Sequence, residues 1–331
     1  MQPNDVSIII PAHQAGWMLH SCLEAVAGLI PPPGEVIIVV DGANKDIRKC
    51  VEGFGFDFIG LDSSPGVSAA RNTGAKRAKG SILAFLDSDV QPKSDFILSI
   101  ITVMTNHPEA NAAFGSYDAH PASRGIVSRY RNLLHHYTHQ SSPGMAQTFW
   151  AGCGVCHAEA FQEIGGFDEQ YRKPSIEDIE LGYRLRAARY DIILDPSWQV
   201  CHLKKWRLND LIVTDLMRRA YPWSLLLLQN RNIENNLNVD HRSRASAILC
   251  ILALAGLVSA FYFPTSLIFS TIALLVVILL NRRFYLFLMD NIGWGGTIAA
   301  IPLHLLYFVV AITGFMMACA TFLIKPPVRK Y

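Results

Sequence analysis

The sequence predicts an α/β domain on a mainly parallel sheet, followed by a helical membrane region. Three observations carry that prediction. Short apolar runs alternate with helical patterns from the N-terminus, as in successive βαβ units. Two of those runs, Glu35–Asp41 and Ser81–Asp89, end in carboxylates. The apolar residues, 51% of the 331, concentrate after Ala245 in long uncharged stretches.

Val6–Ile10 reads as the first strand and Pro11–Ala15 as its loop. A helix is expected over Leu19–Leu29, closed by the proline run 31–33 and Gly34. Glu35–Asp41 is a second buried strand, and Phe56–Ile59 a weaker third. The stretch Gly66–Lys79 is a helix of small residues, able to pack close to a sheet or a ligand. It feeds the strand that ends at Asp87. Asp41 and Asp87 thus leave equivalent ends of two strands, with the Pro11 loop on the same edge.

A formal charge of +2 without a long basic tract argues against nucleic acid as a partner. Met1–Asp5 is polar and Val6–Ile10 is too short for a secretory core, so the catalytic part is expected in the cytoplasm. Seven scattered cysteines fit reduced thiols there.

Asp87 and Asp89 lie two apart, so they share a face if the strand continues and flank a turn if it does not. In an open α/β sheet, ligands collect outside the carboxyl ends of the strands. Two hard oxygen donors there suit Mg²⁺ or Mn²⁺ holding a diphosphate. The bland alternative is an Asp-Ser-Asp turn that caps the next helix.

Val6-Ser-Ile-Ile-Ile-Pro-Ala12, Val39-Val-Asp-Gly42, Ala69-Ala-Arg-Asn-Thr-Gly74 and Phe85-Leu-Asp-Ser-Asp89 follow one another in an order that resembles the family 2 glycosyltransferases of GT-A fold. Gly165-Gly-Phe-Asp-Glu169 and Glu177-Asp178 resemble the acceptor-side half of that family, and the likeness covers roughly residues 6 to 206. The resemblance implies a Rossmann-like domain that moves a sugar from a nucleotide-diphosphate donor, with inversion. It implies Asp89 as metal ligand, Asp87 against the ribose, Asp41 on a uracil ring, and Pro11 and Ala12 lining the base pocket. Val40 stands where the family often has a second acidic residue, which bears on the nucleobase. Arg71 is expected near the nucleotide or its phosphate, and His202 as a further metal ligand. Asp178 is expected to be the general base, with helix capping as the alternative. Trp150, Gly152, Glu177, Lys205 and Trp206 are expected on the acceptor side or in support.

Cys153-Gly-Val-Cys-His157 matches the c-type haem attachment pattern, and His135 and His139 have a zinc-compatible spacing. Both readings, which would make a redox protein, are weaker than a strand and a polar helix.

Residues 1–235 are therefore assigned to the transferase domain and 236–331 to a membrane region. Ala245–Tyr262 and Thr265–Leu280 are uncharged, flanked by Arg242 and Arg244 before and Arg282 and Arg283 after. The positive-inside rule makes 245–280 a hairpin with both ends cytosolic, in a cell inner or plasma membrane. Segment 281–296 is expected to be interfacial or re-entrant, and 297–324 a third hydrophobic helix, bent at Pro302 or Gly314 unless 284–296 re-enters. A crevice at the cytosolic face suits a lipid or lipid-linked acceptor. The alternatives are a soluble or cell-surface glycan acceptor with the helices only as anchor, and a non-catalytic nucleotide-sugar-binding subunit.

Overall fold

The computed structural model describes residues 1–42, 45–230 and 240–324. Its elements in order are β1 (Val6–Ala12), α1 (Trp17–Ala27), β2 (Glu35–Val40), α2 (Lys45–Glu52), β3 (Asp57–Gly60), α3 (Val67–Arg77), β4 (Ile82–Leu86), β5 (Val90–Pro92) and α4 (Phe96–Asn106). Next come β6 (Ala110–Tyr117), α5 (Ile126–Gln140), β7 (Gly144–Met145), β8 (Cys153–His157), α6 (Ala158–Glu163), α7 (Glu177–Ala187) and β9 (Asp191–His202). The rest is helical: α8 (Leu208–Val213), a π-helical stretch Thr214–Ala220, α9 (Tyr221–Asn230), α10 (His241–Ser259), α11 (Ser266–Leu280) and α12 (Arg282–Ile324).

The chain packs as two compact units, one of residues 1–123 and 139–205, the other of 124–138 and 206–331. The first unit holds a single sheet in the order β3-β2-β1-β4-β8-β6-β9-β5, with β7 also on β9. Strands β1 to β4 pair in parallel, as the βαβ pattern predicts. Beyond β4 the sheet is mixed rather than mainly parallel. Strand β8 runs antiparallel to both β4 and β6, while β9 pairs parallel with β6 and antiparallel with β5.

Strand β1 lies between β2 and β4 and is buried along its whole length, which is why it reads as an unbroken apolar run. It continues through Pro11 and Ala12, which the sequence reading gave to a loop. Pairing with β4 has ended by Ile9, so the missing N–H of Pro11 falls where that flank is free. Helix α3 packs on β1 and β2 through small residues; a methyl group at Gly74 would come within 2.5 Å of Ile9 Cγ2.

In the second unit α10 and α11 form an antiparallel hairpin. Asn281 donates to Ser246 Oγ at 2.9 Å at one end, and Ser266 Oγ donates to the Gly256 carbonyl at 2.8 Å at the other. A side chain at Gly256 would collide with Ser270, so the glycine sets the spacing of the two helices. Among the described residues two helices, α10 and α12, are long and apolar enough to cross a membrane, while α11 has 15 residues. The break in α12 falls at Gly293, whose φ of 70° leaves the helical region, and not at Pro302 or Gly314. A side chain at Gly314 would press on Ala220 and Tyr221, so close helix packing explains this glycine.

Candidate active site

The site of the first unit gathers at the carboxyl ends of the parallel strands. Asp41 follows β2 and is 8% exposed. Its Oδ1 accepts from the Gly66 N–H at 3.2 Å, and His13 Nδ1 lies 3.5 Å from its Oδ2. Gly66 has φ +107°, and a Cβ there would run into the Arg172 carbonyl, so glycine is required. The loop after β2 is thereby tied to the start of α3.

Helix α3 carries the next two groups. Asn72 is 7% exposed. Its Nδ2 donates to the Phe167 carbonyl and to Glu169, each at 2.9 Å, and its Oδ1 accepts from the Phe167 N–H at 2.8 Å. Gly165 and Gly166 turn the chain with φ of 80° and 70°, and a Cβ on Gly166 would stand 2.6 Å from Asn72 Oδ1. Two motifs nearly a hundred residues apart are thus halves of one contact, a pairing that no local pattern encodes.

Arg71, one residue earlier, is 3% exposed. Its Nη2 donates to Asp87 Oδ1 at 2.7 Å and its Nη1 to Glu177 Oε1 at 2.8 Å, and its guanidinium lies over the Phe167 ring. Desolvation opposes the charge, but Asp87, Glu177 and Asp178 outweigh it and hold the guanidinium firmly protonated.

Asp87 and Asp89 flank the turn between β4 and β5. A short strand, not a helix, follows Asp89, which removes the capping alternative. Val90 pairs with His202 in the β5–β9 ladder, and the Leu203 N–H donates to the Asp89 carbonyl at 2.9 Å. This ladder sets His202 Nε2 3.9 Å from Asp89 Oδ2. Burial pushes the Asp89 carboxyl up, but His202 and Lys204 more than reverse that and hold it below the usual carboxylate range. Burial dominates at Asp87 and raises it, against the pull of Arg71. His202 stacks on Tyr117, centroids 4.2 Å apart, and the Tyr117 ring meets Trp150 edge-on at 4.8 Å. A Cβ on Gly152 would stand 2.6 Å from the Trp150 indole, and the Gly152 carbonyl accepts from the Asp87 N–H at 3.3 Å. Tyr117 was not foreseen; its place under His202 is set by the β6–β9 pairing.

Asp178 is the second residue of α7 and does not cap it, since the cap position is Ile176. Its Oδ2 accepts from the Ala151 N–H at 3.3 Å and its Oδ1 from the Ile179 N–H at 2.8 Å. Burial first, then the neighbouring Glu177, push its carboxyl up to about 7. Glu177 is 4% exposed, and its Oε2 accepts from the Ser175 N–H at 2.7 Å.

Among the described residues no group of three or more His, Cys, Asp or Glu converges as a closed metal cage. The donor set nonetheless fits a magnesium-like ion, which takes one or two carboxylates and completes its shell from water and substrate phosphates. Asp89 with His202 beside it offers such a half-shell. Lys205 is exposed, and Trp206 belongs to the second unit, where its N–H donates to Ser128 Oγ at 2.8 Å. Cys153 and Cys156 are buried in β8, paired with Leu86 and Leu83 of β4, and burial raises both thiols, so they read as core. His139 is buried with Nδ1 3.0 Å from the Gly115 carbonyl, and His136 stacks on Phe287.

Residues 7–165 match the profile of the Glycosyl transferase family 2. That stretch is similar to the family 2 glycosyltransferases. Over 229 residues it is 29% identical to the pre-mycofactocin glycosyltransferase of Mycobacterium tuberculosis, covering 63% of this chain and 44% of that relative. The chain thus spans less than half the length of that protein. A shorter match, 31% over 98 residues, joins it to the glucosyl-dolichyl phosphate glucuronosyltransferase of Haloferax volcanii, covering 28% of this chain and 31% of the relative. The solved structure of the mannosyltransferase PcManGT from Pyrobaculum calidifontis, in complex with GDP-Man and Mn²⁺, superposes with a TM-score of 0.53 at 14% identity, over 94% of this chain and 87% of that one. That likeness shows the GT-A fold, and Arg71 joins the Asp87 strand end to the start of α7.

Proposed function

We propose that this chain is an inverting glycosyltransferase that moves a sugar from a nucleotide-diphosphate donor, with uridine as the expected base, to a membrane-associated lipid or lipid-linked acceptor at the cytosolic face. The observation that carries this reading is the convergence, through Arg71, of the Asp87-Ser-Asp89 turn and the Glu177-Asp178 helix start. One supplies what a leaving diphosphate needs, the other a base. Asp89 and His202 would hold Mg²⁺ or Mn²⁺, which when bound neutralises the diphosphate; the PcManGT structure holds Mn²⁺. Pro11, Ala12 and Asp41 line the place for the nucleobase, and Asp87 the ribose. Trp150, set by Gly152, forms an apolar wall for the acceptor side.

In the step itself, Asp178 takes the proton of the acceptor hydroxyl. That oxygen attacks the anomeric carbon, and the bond from this carbon to the diphosphate oxygen breaks, its electron pair leaving with the diphosphate. A carboxylate pushed up to about 7 suits this task, because it is a stronger base than an ordinary one yet half ionised near neutrality.

The membrane part of the reading rests on the apolar faces of α10, α11 and α12. The name of the Haloferax relative, which includes glucosyl-dolichyl phosphate, supports a lipid-linked acceptor. The test uses the full chain in detergent with a panel of nucleotide sugars, Mn²⁺ and a membrane lipid extract. Release of nucleoside diphosphate that depends on the extract is expected. Release equal with a soluble glycan and without lipid would transfer the proposal to an anchored enzyme with a soluble acceptor.

A further inference from the structure

We propose that Arg71 is a positioning residue that locks the donor-side turn to the acceptor-side base, rather than a group that touches the donor. The proposal rests on the reading of Asp178 as general base. Its guanidinium is 3% exposed and spans Asp87 and Glu177, positions 90 residues apart in the chain, with one nitrogen on each at 2.7 and 2.8 Å. Each terminal nitrogen thus holds one carboxylate, Nε is buried with no hydrogen-bond partner, and the flat side of the fork is covered by Phe167 at 5.3 Å. A donor phosphate would reach it only by displacing Asp87, whose side chain is 31% exposed, or the buried Glu177. Glu177 is in turn fixed by the Ser175 N–H, so the link from Asp87 reaches the first turn of α7 without a gap.

This geometry also sets the charge balance. Asp87, Asp89, Glu177 and Asp178 place four carboxylates around the crevice edge. The charged groups that face Asp178 are Glu177 on its own helix and Arg71 from α3. Glu177 pushes the Asp178 proton on and Arg71 pushes it off. A bridging arginine therefore does two things. It fixes the Asp87 and Glu177 oxygens by a rigid two-pronged contact, and it offsets the repulsion that would keep Asp178 protonated. Lysine could do the second but not the first, because a single ammonium cannot span both carboxylates with the planar fork.

The experiment is a carboxyl-carbon NMR titration of the full chain in detergent with ¹³C-labelled aspartate. The signal absent from Asp178→Asn assigns the resonance. Arg71→Gln should raise the Asp178 titration midpoint by about one pH unit or more, and Glu177→Gln should lower it, while Arg71→Lys stays near the wild type. Opposite shifts from the two neutralising changes are not what a general loosening of the fold produces, and thermal melting of each variant checks the fold. In parallel, calorimetry with Mn²⁺ and UDP or GDP, whichever the wild type binds more tightly, should give affinities for Arg71→Gln within about threefold of wild type. An unmoved Asp178 midpoint in Arg71→Gln, or a tenfold or greater loss of nucleotide affinity with the fold intact, would overturn the proposal. Activity insensitive to Asp178→Asn would instead overturn the base assignment, a separate failure that the titration does not share.

Discussion

The two units differ in where they put their large apolar side chains. In the first, Ile8, Ile9, Ile10, Phe85 and Phe114 are fully buried around the sheet. In the second, Phe261, Phe263, Phe269 and Leu279 are 88%, 68%, 71% and 64% exposed, while Ser246, Ser270, Asn281 and His304 are nearly or fully buried. His304 Nδ1 lies 3.1 Å from the Tyr285 hydroxyl, and Asn281 bonds Ser246, so these polar groups pair with one another inside the unit. Water would not tolerate the outer face of that hairpin, whereas hydrocarbon asks for it. The contrast teaches how the proposed membrane anchoring would work: one chain would fold against two solvents, with the exposed apolar face of the second unit turned to lipid.

The comparison breaks hardest at the base. Asp178→Asn should lower nucleoside diphosphate release by roughly 10²–10⁴-fold, the usual worth of a positioned acid or base, with nucleotide binding by calorimetry kept. Loss of binding together with turnover would place Asp178 on the donor instead. Asp89→Ala should weaken Mn²⁺-dependent nucleotide binding by about 100-fold or more, on the scale of lost metal ligation. Equal affinity with and without Mn²⁺ in the wild type would end the ligand role.

A carboxylate in the second unit sharpens the contrast from the other side. Ile272 is 51% exposed midway along α11. Ile272→Asp should cost about 2.5–3.5 kcal/mol of insertion and shift protein from the membrane fraction, read by flotation, without touching the crevice. Unchanged partitioning would mean that this face does not meet hydrocarbon.

The pH profile opposes activity to stability in the first unit. Asp178 lies near 7 when folded, above its unfolded value, so the stability it contributes is fully present below the unfolded value and is lost as pH rises through 7. Activity runs the other way: kcat/KM should fall about tenfold per pH unit below 7, as the base takes up its proton. A flat profile from pH 5 to 7 would contradict the assignment. The smallest effect concerns the α3 grip. Asn72→Ala leaves the buried Phe167 N–H unpaired and should cost about 1–3 kcal/mol, read as a lower melting temperature.

Much of the crevice was legible in the sequence because its residues close apolar strands or open a helix. Asp41, Asp87 and Asp89 announce themselves at strand ends, and Glu177-Asp178 at the start of an amphipathic helix. Asn72, Tyr117 and the double ion pair of Arg71 were not legible. Each depends on a partner 85 to 106 positions away, as with Arg71 and Glu177, and no local pattern encodes that pairing. The direction of β8 was hidden for a similar reason, since a short buried strand reads the same either way. The sequence by itself determined the alternation of elements, the carboxylates at their ends and the uncharged stretches after Ala245. These follow from the periodicity of backbone and side chain, which is local. Only the tertiary structure decided which carboxylate the buried arginine joins, which ring lies under His202, and that α12 breaks at Gly293. Those outcomes come from close packing between distant segments, where one methyl group or one hydrogen bond selects the arrangement.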